Sequence, residues 1–213
     1  FNEATSTMDE AERLITQKRF SADFVVASDI QTQGRGRKGN IWYSDKGGLW
    51  FTLCLYNYTF YPSLMIYTGL IIRRTIFDLF QLSDLTIKWP NDVYIQGKKC
   101  CGMIANYNSL HKYHQIGIGI NTNNSIPSNT SNPAVSLSEI LNREVSNNDI
   151  LNHFLELFYQ NLTQYQNYNL ETFIDEFNQF HLLNQKLVDI VCGDESFTGI
   201  CTGIEPDGAI TLL

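Results

Sequence analysis

A short basic, glycine-rich segment is the part of the sequence best equipped for chemistry. Residues 34–39 read G-R-G-R-K-G, which places three cations (Arg35, Arg37, Lys38) among three glycines in a chain whose formal net charge is −7. Glycine lets a backbone approach a ligand closely, and arginine offers forked donors that match carboxylate and phosphate oxygens. The segment therefore has the means to hold two anionic groups together. A solvated basic turn without a ligand is the alternative.

Two common phosphate-binding patterns do not account for this segment. The sequence contains no G-x-x-x-x-G-K-[ST], so a Walker-type phosphate loop is excluded. Gly34, Gly36 and Gly39 match the letters of a dinucleotide-binding fingerprint, but cations fill the intervening positions and no helical pattern follows. The letter match alone is weak evidence for a nucleotide site of that type.

Five segments, in order along the chain, resemble motifs of the biotin protein ligase family. Residues 31–42 resemble its ligand loop, G-R-G-R-x-G followed shortly by tryptophan. Residues 88–93 (K-W-P-N-D-V) are similar to its K-W-P-N-D segment, and residues 99–104 (K-C-C-G-M-I) to its K-x-x-G-I-L strand. Residues 117–121 (G-I-G-I-N) resemble its G-x-G-I-N, and Ser6-Thr7 resembles an S-T pair at a helix start. The first, second and third of these matches are highly specific.

The resemblance implies an ATP-dependent biotin protein ligase. Such an enzyme forms biotinyl-5′-AMP from biotin and ATP with Mg²⁺, and transfers biotin to the ε-amine of a lysine on the biotin carrier domain of a carboxylase. It also implies an α+β fold, in which a mixed, largely antiparallel sheet is backed by helices as in class II synthetase-like biotin and lipoate ligases. We expect a catalytic biotin- and ATP-binding domain over residues 1–183 and a truncated, SH3-like β-barrel domain over residues 184–213.

Roles for individual residues follow from the same resemblance. Arg35 and Lys99 would hold the biotin carboxylate beside the α-phosphate, and Asp92 would receive or orient the ammonium of the acceptor lysine; these are the expected catalytic residues. Mg²⁺ would be held mainly by the ATP phosphates rather than by the protein. The expected biotin-binding residues are Ser6, Thr7, Gln31, Gly34, Arg35, Arg37, Lys99 and Gly102. The expected ATP-binding residues are Arg35, Arg37, Trp42, Asn91, Lys99 and Asn121. Trp42 would cover the biotin tail or the adenine, and the glycines at 117 and 119 would keep side chains out of that space.

Some of these residues also suit a purely structural role, and two other functions are compatible with parts of the sequence. Ser6 and Thr7 also suit a helix N-terminus, and Trp89 and Pro90 are predicted only to shape a turn. A lipoate or octanoate ligase shares the fold, although the polar side chains expected around the ureido ring favour biotin. A noncatalytic biotin- or nucleotide-binding module is the alternative from another class, and the intact catalytic residues argue against it.

Composition restricts the partners and the compartment. The net charge of −7 and the isoelectric point near 5.0 argue against general affinity for nucleic acid or anionic membranes. No DNA-binding winged helix precedes the motifs, so a monofunctional ligase without DNA binding is expected.

Five cysteines without a C-x-x-C predict reduced thiols and a cytoplasmic protein, with an upstream targeting segment left open. The longest apolar runs are too short to span a bilayer. Association into a homodimer is left open.

Hydrophobic periodicity predicts the elements that would position the motifs. A possible T-x-x-E capping box at Thr7 opens the first helix, and the basic segment lies in a loop between two strands. Helices are expected over residues 7–18, 62–80, 147–166 and 170–180. Strands are expected over residues 23–29, 49–56, 85–89, 92–95, 99–107 and 113–121, followed by a surface loop over residues 121–132 and further strands over residues 187–213.

Several conspicuous side chains are predicted to have no part in the chemistry. Cys100 and Cys101 are expected to be packing residues. His111 and His114 are predicted to lie on the surface of a hairpin, and His153 and His181 on helix faces. The aromatic residues Phe154, Phe158 and Tyr165 are expected to belong to a core or an interface, not to a cofactor site.

Overall fold

The computed structural model describes residues 1–59, 62–128, 130 and 132–213, so residues 129 and 131 of the predicted surface loop lie outside the described part. The helices are α1 (Thr7–Thr16), α2 (Leu64–Phe80), α3 (Leu137–Leu141), α4 (Asn147–Tyr168) and α5 (Ile174–Phe180). The strands are β1 (Phe24–Ser28), β2 (Leu49–Tyr56), β3 (Leu85–Lys88), β4 (Asp92–Ile95), β5 (Lys98–Asn108), β6 (Tyr113–Ile120), β7 (Leu187–Cys192), β8 (Glu195–Ile204) and β9 (Ile210–Leu212).

The chain divides into two compact units. The first unit consists of Phe1–Phe60 and Tyr94–Asn152, and the second of Tyr61–Val93 and His153–Leu213. This division does not follow the domain boundary expected after residue 183, which stays a prediction. None of the helices in the described ranges combines the length and the hydropathy needed to cross a membrane.

The first unit is built on four antiparallel strands in the order β1-β2-β6-β5. Every residue of β2 except Tyr56 is buried, because the strand lies between two neighbours and is covered on both faces. Such strands read as continuous apolar runs rather than as alternating patterns. Helix α1 packs Ala11 and Ile15 against a cluster that includes Val26 of β1 and Cys54 of β2. The predicted mixed, largely antiparallel sheet backed by helices is confirmed.

The start of α1 differs in detail from the prediction. Ser6 is the N-cap residue, with extended backbone angles, and its hydroxyl accepts a hydrogen bond from the Met8 amide at 3.2 Å. Thr7 is the first helical residue, so the predicted capping box at Thr7 is wrong by one position. Its hydroxyl is thereby left for contacts outside the helix.

The second unit has an aromatic core between its helices. Tyr67 of α2 stacks on Tyr165 of α4 with ring centroids 4.4 Å apart, and its hydroxyl donates to the Phe158 carbonyl at 2.6 Å. Phe154, Phe158 and Tyr165 are each at most 1% exposed, which confirms that this aromatic stripe is core.

The C-terminal strands form an open sheet and not the predicted SH3-like barrel. The order is β7-β8-β9, both pairings are antiparallel, and β7 and β9 each pair only with β8 within residues 184–213, all of which are described. A barrel removes its edges by closing the sheet on itself, which three strands in this order do not do. Helix α3 was not predicted either, because five residues are too short for a helical period to be recognised.

Two histidines are buried, His114 where a surface position was predicted and His181 at the end of a helix rather than on its face. His114 of β6 is 3% exposed, and His181, which follows α5 as its C-cap, is 5% exposed. Burial, followed by repulsion from Lys186, lowers the pKa of His181 from 6.5 to about 4. The imidazole is therefore neutral in the native state at neutral pH.

His181 is expected to make the protein sensitive to mild acid. Because its folded pKa lies below its unfolded pKa, its contribution to stability is fully present above pH 6.5 and is lost as the pH falls through about 4. The full difference corresponds to about 3 kcal/mol. The free energy of unfolding, measured in urea, should fall less between pH 7 and pH 5 for His181→Asn than for the wild type. An equal fall in the free energy of unfolding for His181→Asn and the wild type would contradict this account. So would an equally reduced fall for His153→Asn, which changes the partly exposed histidine of α4.

Candidate functional site

A hydrogen-bonded polar network joins α1, β2 and the chain after β1. The main-chain amide and the hydroxyl of Thr7 both donate to Gln31 Oε1, at 2.8 and 3.1 Å. Gln31 Nε2 donates to Ser44 Oγ at 2.8 Å, and Thr52 Oγ1 donates to Thr7 Oγ1 at 2.9 Å. The amide oxygen of Gln31 is thus occupied by protein donors. The second Nε2 hydrogen of Gln31 remains available to a carbonyl of a ligand.

The network contains two predicted biotin-binding residues and two that the sequence did not reveal. The structure brings Thr7 and Gln31 into contact, and Ser44 and Thr52, which the sequence did not single out, complete the network. Thr52 is fully buried, and the one available signal was a hydroxyl in the middle of the otherwise apolar strand β2. Ser6 lies next to this network but serves as the helix cap.

The basic segment forms a small closed loop. Gly36 N donates to Asn40 O at 2.7 Å and Trp42 N donates to Gly34 O at 3.0 Å, with a short 3-10 turn at Arg37–Gly39 between them. A Cβ atom at Gly34 would lie 2.3 Å from Trp42 O and 2.6 Å from Ser44 Oγ. Position 34 therefore requires glycine because the main chain passes too close for a side chain.

The two arginines of the loop differ in their surroundings. Arg35 makes an ion pair with Asp9 in the first turn of α1, and the two side chains are 54% and 45% exposed. Exposed pairs of this kind contribute only about 0–1 kcal/mol. An anionic ligand can therefore replace Asp9 at little cost, and Asp9 is a contact that the sequence motifs did not suggest. Arg37 begins the 3-10 turn.

Trp42 and Lys99 meet over a pair of facing glycines. Gly102 of β5 and Gly119 of β6 are cross-strand partners. A Cβ atom at Gly119 would lie 2.4 Å from Trp42 Nε1, and one at Gly102 would lie 2.7 Å from Trp42 Cζ3 and 3.1 Å from Lys99 Nζ. Lys99 Nζ is 5.1 Å from the centroid of the Trp42 ring. The Trp42 indole and the Lys99 ammonium thus both pack against this glycine pair.

These packing contacts differ from the role predicted for the glycines of β6. They were expected to keep space free for a ligand, but Gly119 accommodates the Trp42 indole and Gly117 accommodates Met8, whose Sδ would lie 2.8 Å from an added Cβ. Trp42 Nε1 is buried and has no hydrogen-bond partner among the described residues. An unsatisfied buried donor is costly, so a ligand acceptor at this point would be favoured.

The main chain that carries Lys99 is held firmly. Lys99 N donates to Pro133 O at 2.9 Å, and Val135 N donates to Lys99 O at 3.0 Å. At the end of β6, Asn121 N donates to Cys100 O at 2.8 Å, and the Asn121 side chain accepts from Asn124 Nδ2 at 3.2 Å. Lys99 and Asn121 therefore project from fixed backbone positions, which limits the reorganisation needed to meet a ligand.

Asn91 and Asp92 belong to the second unit, whereas the residues described above belong to the first. They lie where the chain turns from β3 into β4, and Asn91 N donates to Lys88 O at 3.2 Å. Their roles toward phosphate and the acceptor lysine stay predictions.

The cysteines of β2 and β5 are buried within the sheet. Cys100 and Cys101 are fully buried, which confirms them as packing residues. Burial, with smaller contributions from Asp23 and Glu12, raises the pKa of Cys54 to about 12, so this thiol is not a nucleophile at neutral pH. Among the described residues, no three His, Cys, Asp or Glu side chains are grouped to hold a metal ion.

Comparison with known sequences gives a consistent assignment. The model of the biotin/lipoate A/B protein ligase family matches residues 2–123. Biotin–protein ligase 2 of Arabidopsis thaliana is 33% identical over 147 residues, which are 63% of this chain and 44% of that protein. The bifunctional ligase/repressor BirA of Bacillus subtilis is 30% identical over 171 residues, or 76% and 52% of the two chains. The chain spans about half the length of these curated relatives.

Solved structures agree with this assignment. The biotin protein ligase from Aquifex aeolicus in complex with biotin and ATP superposes with a TM-score of 0.88 at 28% identity, covering 100% of this chain and 90% of that one. The biotin protein ligase from Leishmania major in complex with biotin, at 22% identity and a TM-score of 0.74, covers 100% of this chain and 96% of its own and shares the fold. The motifs, the site and the family match over residues 2–123 agree, and the chain belongs to the biotin/lipoate A/B protein ligase family.

Proposed function

We propose that this protein is an ATP-dependent biotin protein ligase. It forms biotinyl-5′-AMP from biotin and ATP and then transfers biotin to the ε-amine of a lysine on the biotin carrier domain of a carboxylase. The similarity to the Aquifex aeolicus biotin protein ligase in complex with biotin and ATP supports this proposal.

One structural observation carries the choice of substrate. The segment 31–42 begins at Gln31, in the hydrogen-bonded network with Thr7, and ends at Trp42, against the Lys99 ammonium. One end of the segment thus offers polar groups and the other a cation. Biotin has the same division, with a polar ureido ring at one end and a carboxylate at the other. A lipoyl or octanoyl group has an apolar far end and would leave the buried polar network unmatched.

Adenylation brings two anions together, and the loop cations make this feasible. A carboxylate oxygen of biotin attacks the α-phosphorus, the bond to the bridging oxygen breaks, and pyrophosphate leaves. Arg35 and Lys99 stabilise the negative charge on the carboxylate and the α-phosphate, and Arg37 adds to the positive field. Mg²⁺ bound to the phosphates supplies further charge neutralisation. Ser6, Gly34 and Gly102 border the biotin, while Asn91 and Asn121 serve the nucleotide.

The transfer step needs a free amine. The acceptor lysine must lose a proton before its nitrogen attacks the acyl carbon, after which AMP leaves with the bonding electrons of the acyl–oxygen bond. Asp92 receives that proton or orients the ammonium.

Charge and cysteine chemistry support the proposed partner and compartment. A net charge of −7 supports a protein acceptor rather than DNA. The five cysteines are free, which supports a reducing compartment such as the cytoplasm.

The direct test is incubation with biotin, MgATP and a carrier domain, followed by intact-mass measurement of the carrier. One biotinyl group should be added, and a carrier whose target lysine is replaced by arginine should stay unmodified. Parallel reactions with lipoate and octanoate identify the alternative ligase. Modification by lipoate or octanoate alone would overturn the proposed substrate.

Asp92→Asn is expected to separate the two half-reactions. ATP–pyrophosphate exchange with biotin should stay near the wild-type rate, because adenylation does not need the carboxylate, whereas transfer should slow by about 10²-fold. Single-turnover transfer from preformed biotinyl-5′-AMP measures the second step alone. Asp84→Asn, at an exposed position before β3, is the matched control and should transfer normally. Loss of exchange together with transfer would refute the assigned role.

A further inference from the structure

The side chain of Trp89 ties the K-W-P-N-D segment to the C-terminal sheet. Trp89 Nε1 donates a hydrogen bond to the carbonyl oxygen of Gly208 at 2.9 Å. Trp89 directly follows β3, and Gly208 lies in the turn between β8 and β9, 119 residues away in sequence. Both residues belong to the second unit. The contact therefore joins the segment that contains Asp92 to a distant turn.

The acceptor of this hydrogen bond is itself held in place. Gly208 has φ +91, and a Cβ atom there would lie 2.9 Å from Ile66 Cδ1 and 3.2 Å from the Ser63 backbone at the start of α2. Gly208 N donates to Glu205 O, and Glu205 N donates to Ala209 O, both at 2.8 Å. The turn is closed by its own hydrogen bonds and packed against α2. Its carbonyl is a fixed point rather than a mobile loop tip.

A main-chain contact holds the end of β3 immediately before this segment. Leu182 N donates to Ile87 O at 2.8 Å, and Ile87 forms a parallel bridge with His181. The chain from His181 onward continues into the C-terminal sheet, where Gln185 N donates to Cys201 O at 2.8 Å. The end of β3 is thus held at Ile87 by the main chain and at Trp89 by the indole. Asn91 and Asp92 follow within three residues of that second anchor.

We propose that Trp89 is a positioning residue through which the β8–β9 turn sets the place of Asp92 for the transfer step. This proposal rests on the proposed role of Asp92 in the ligase reaction. A tryptophan that only filled space would need its ring, whereas a positioning tryptophan needs its N–H, since the N–H is what reaches Gly208. The C-terminal sheet then takes part in the transfer reaction without touching the substrates.

Trp89→Phe tests the proposal because it keeps an aromatic ring and removes the donor. We expect transfer from preformed biotinyl-5′-AMP to slow by about tenfold, since small misplacements of a reacting group cost rate steeply. At saturating ATP, biotin-dependent ATP–pyrophosphate exchange should slow much less than transfer, because Arg35 and Lys99 lie outside the segment and Asn91 contributes from within it only to nucleotide binding. Hydrogen exchange of the amides in residues 88–93 should become faster in the variant, which reports the loosened segment directly.

Tyr67→Phe is the matched control. It also removes a side-chain donor to a main-chain carbonyl of the second unit, the 2.6 Å bond to Phe158 O, but that bond lies outside the K-W-P-N-D segment. It should lower the melting temperature and leave the transfer rate of the folded enzyme unchanged. Equal slowing of both half-reactions by Trp89→Phe, unchanged transfer, or equal slowing of transfer by Tyr67→Phe would each overturn the positioning role. A wild-type protein that adds no biotin to any carrier would instead refute the proposed function.

Discussion

Replacing Lys99 with alanine should lower biotin-dependent ATP–pyrophosphate exchange by at least about 10²-fold, the usual consequence of removing a preorganised group from a charged transition state. The ammonium rests on Gly102 and against the Trp42 ring, and its main chain is bonded on both sides to residues 133–135. Water that enters after the substitution cannot supply an equivalent fixed positive charge at this position. The repulsion between biotin carboxylate and α-phosphate would then oppose the reaction directly.

The control for Lys99 is its neighbour. Lys98 is exposed, and its ammonium lies 3.7 Å from Glu139 of α3. Successive residues of a strand point to opposite faces, so Lys98→Ala removes the same charge from the wrong side of β5. Exchange by Lys98→Ala should stay within about twofold of the wild type, as is usual for an exposed ion pair. Similar losses in both variants would show that net charge, and not the position of Lys99, supports adenylation.

Gly34→Ala should reduce kcat/KM for adenylation by at least about tenfold, because a displacement near 1 Å at a reacting centre costs this much or more. The added methyl group would overlap Trp42 O at 2.3 Å and Ser44 Oγ at 2.6 Å. Relief requires movement of the main chain between Gly34 and Trp42, and this breaks the bond from Trp42 N to Gly34 O. The same movement disturbs Ser44, the partner of Gln31. KM for biotin and for ATP should both rise.

A second glycine of the loop provides the comparison. A Cβ atom at Gly36 would meet nothing nearer than 3.4 Å, the carbonyl oxygen of Asn40, and its φ of −104 suits any residue. Gly36→Ala should therefore perturb the loop much less than Gly34→Ala. Steady-state kinetics of the two variants, with thermal melting to confirm folding, decide the question. Equal effects would mean that added bulk or lost flexibility, and not the close approach at residue 34, limits the loop.

Local sequence signals predicted the elements well where the pattern within one element is sufficient to define it. The strand expected over residues 49–56 has those bounds as β2, because a continuous apolar run suits a strand buried on both faces. The strand expected over residues 92–95 is also found as β4. Failures occurred where the signal was short or capping was ambiguous, as in α3 and at Ser6.

The sequence alone determined the family, the general fold and the cluster of loop cations, because each depends on residues that are adjacent or periodic. The tertiary structure decided which of these residues meet. Thr52 reaches Thr7 across 45 positions and Trp89 reaches Gly208 across 119. It also decided that Gly119 serves Trp42 and that the C-terminal sheet stays open. Such contacts depend on strand register and on the packing of distant segments, and no local pattern of residues specifies either.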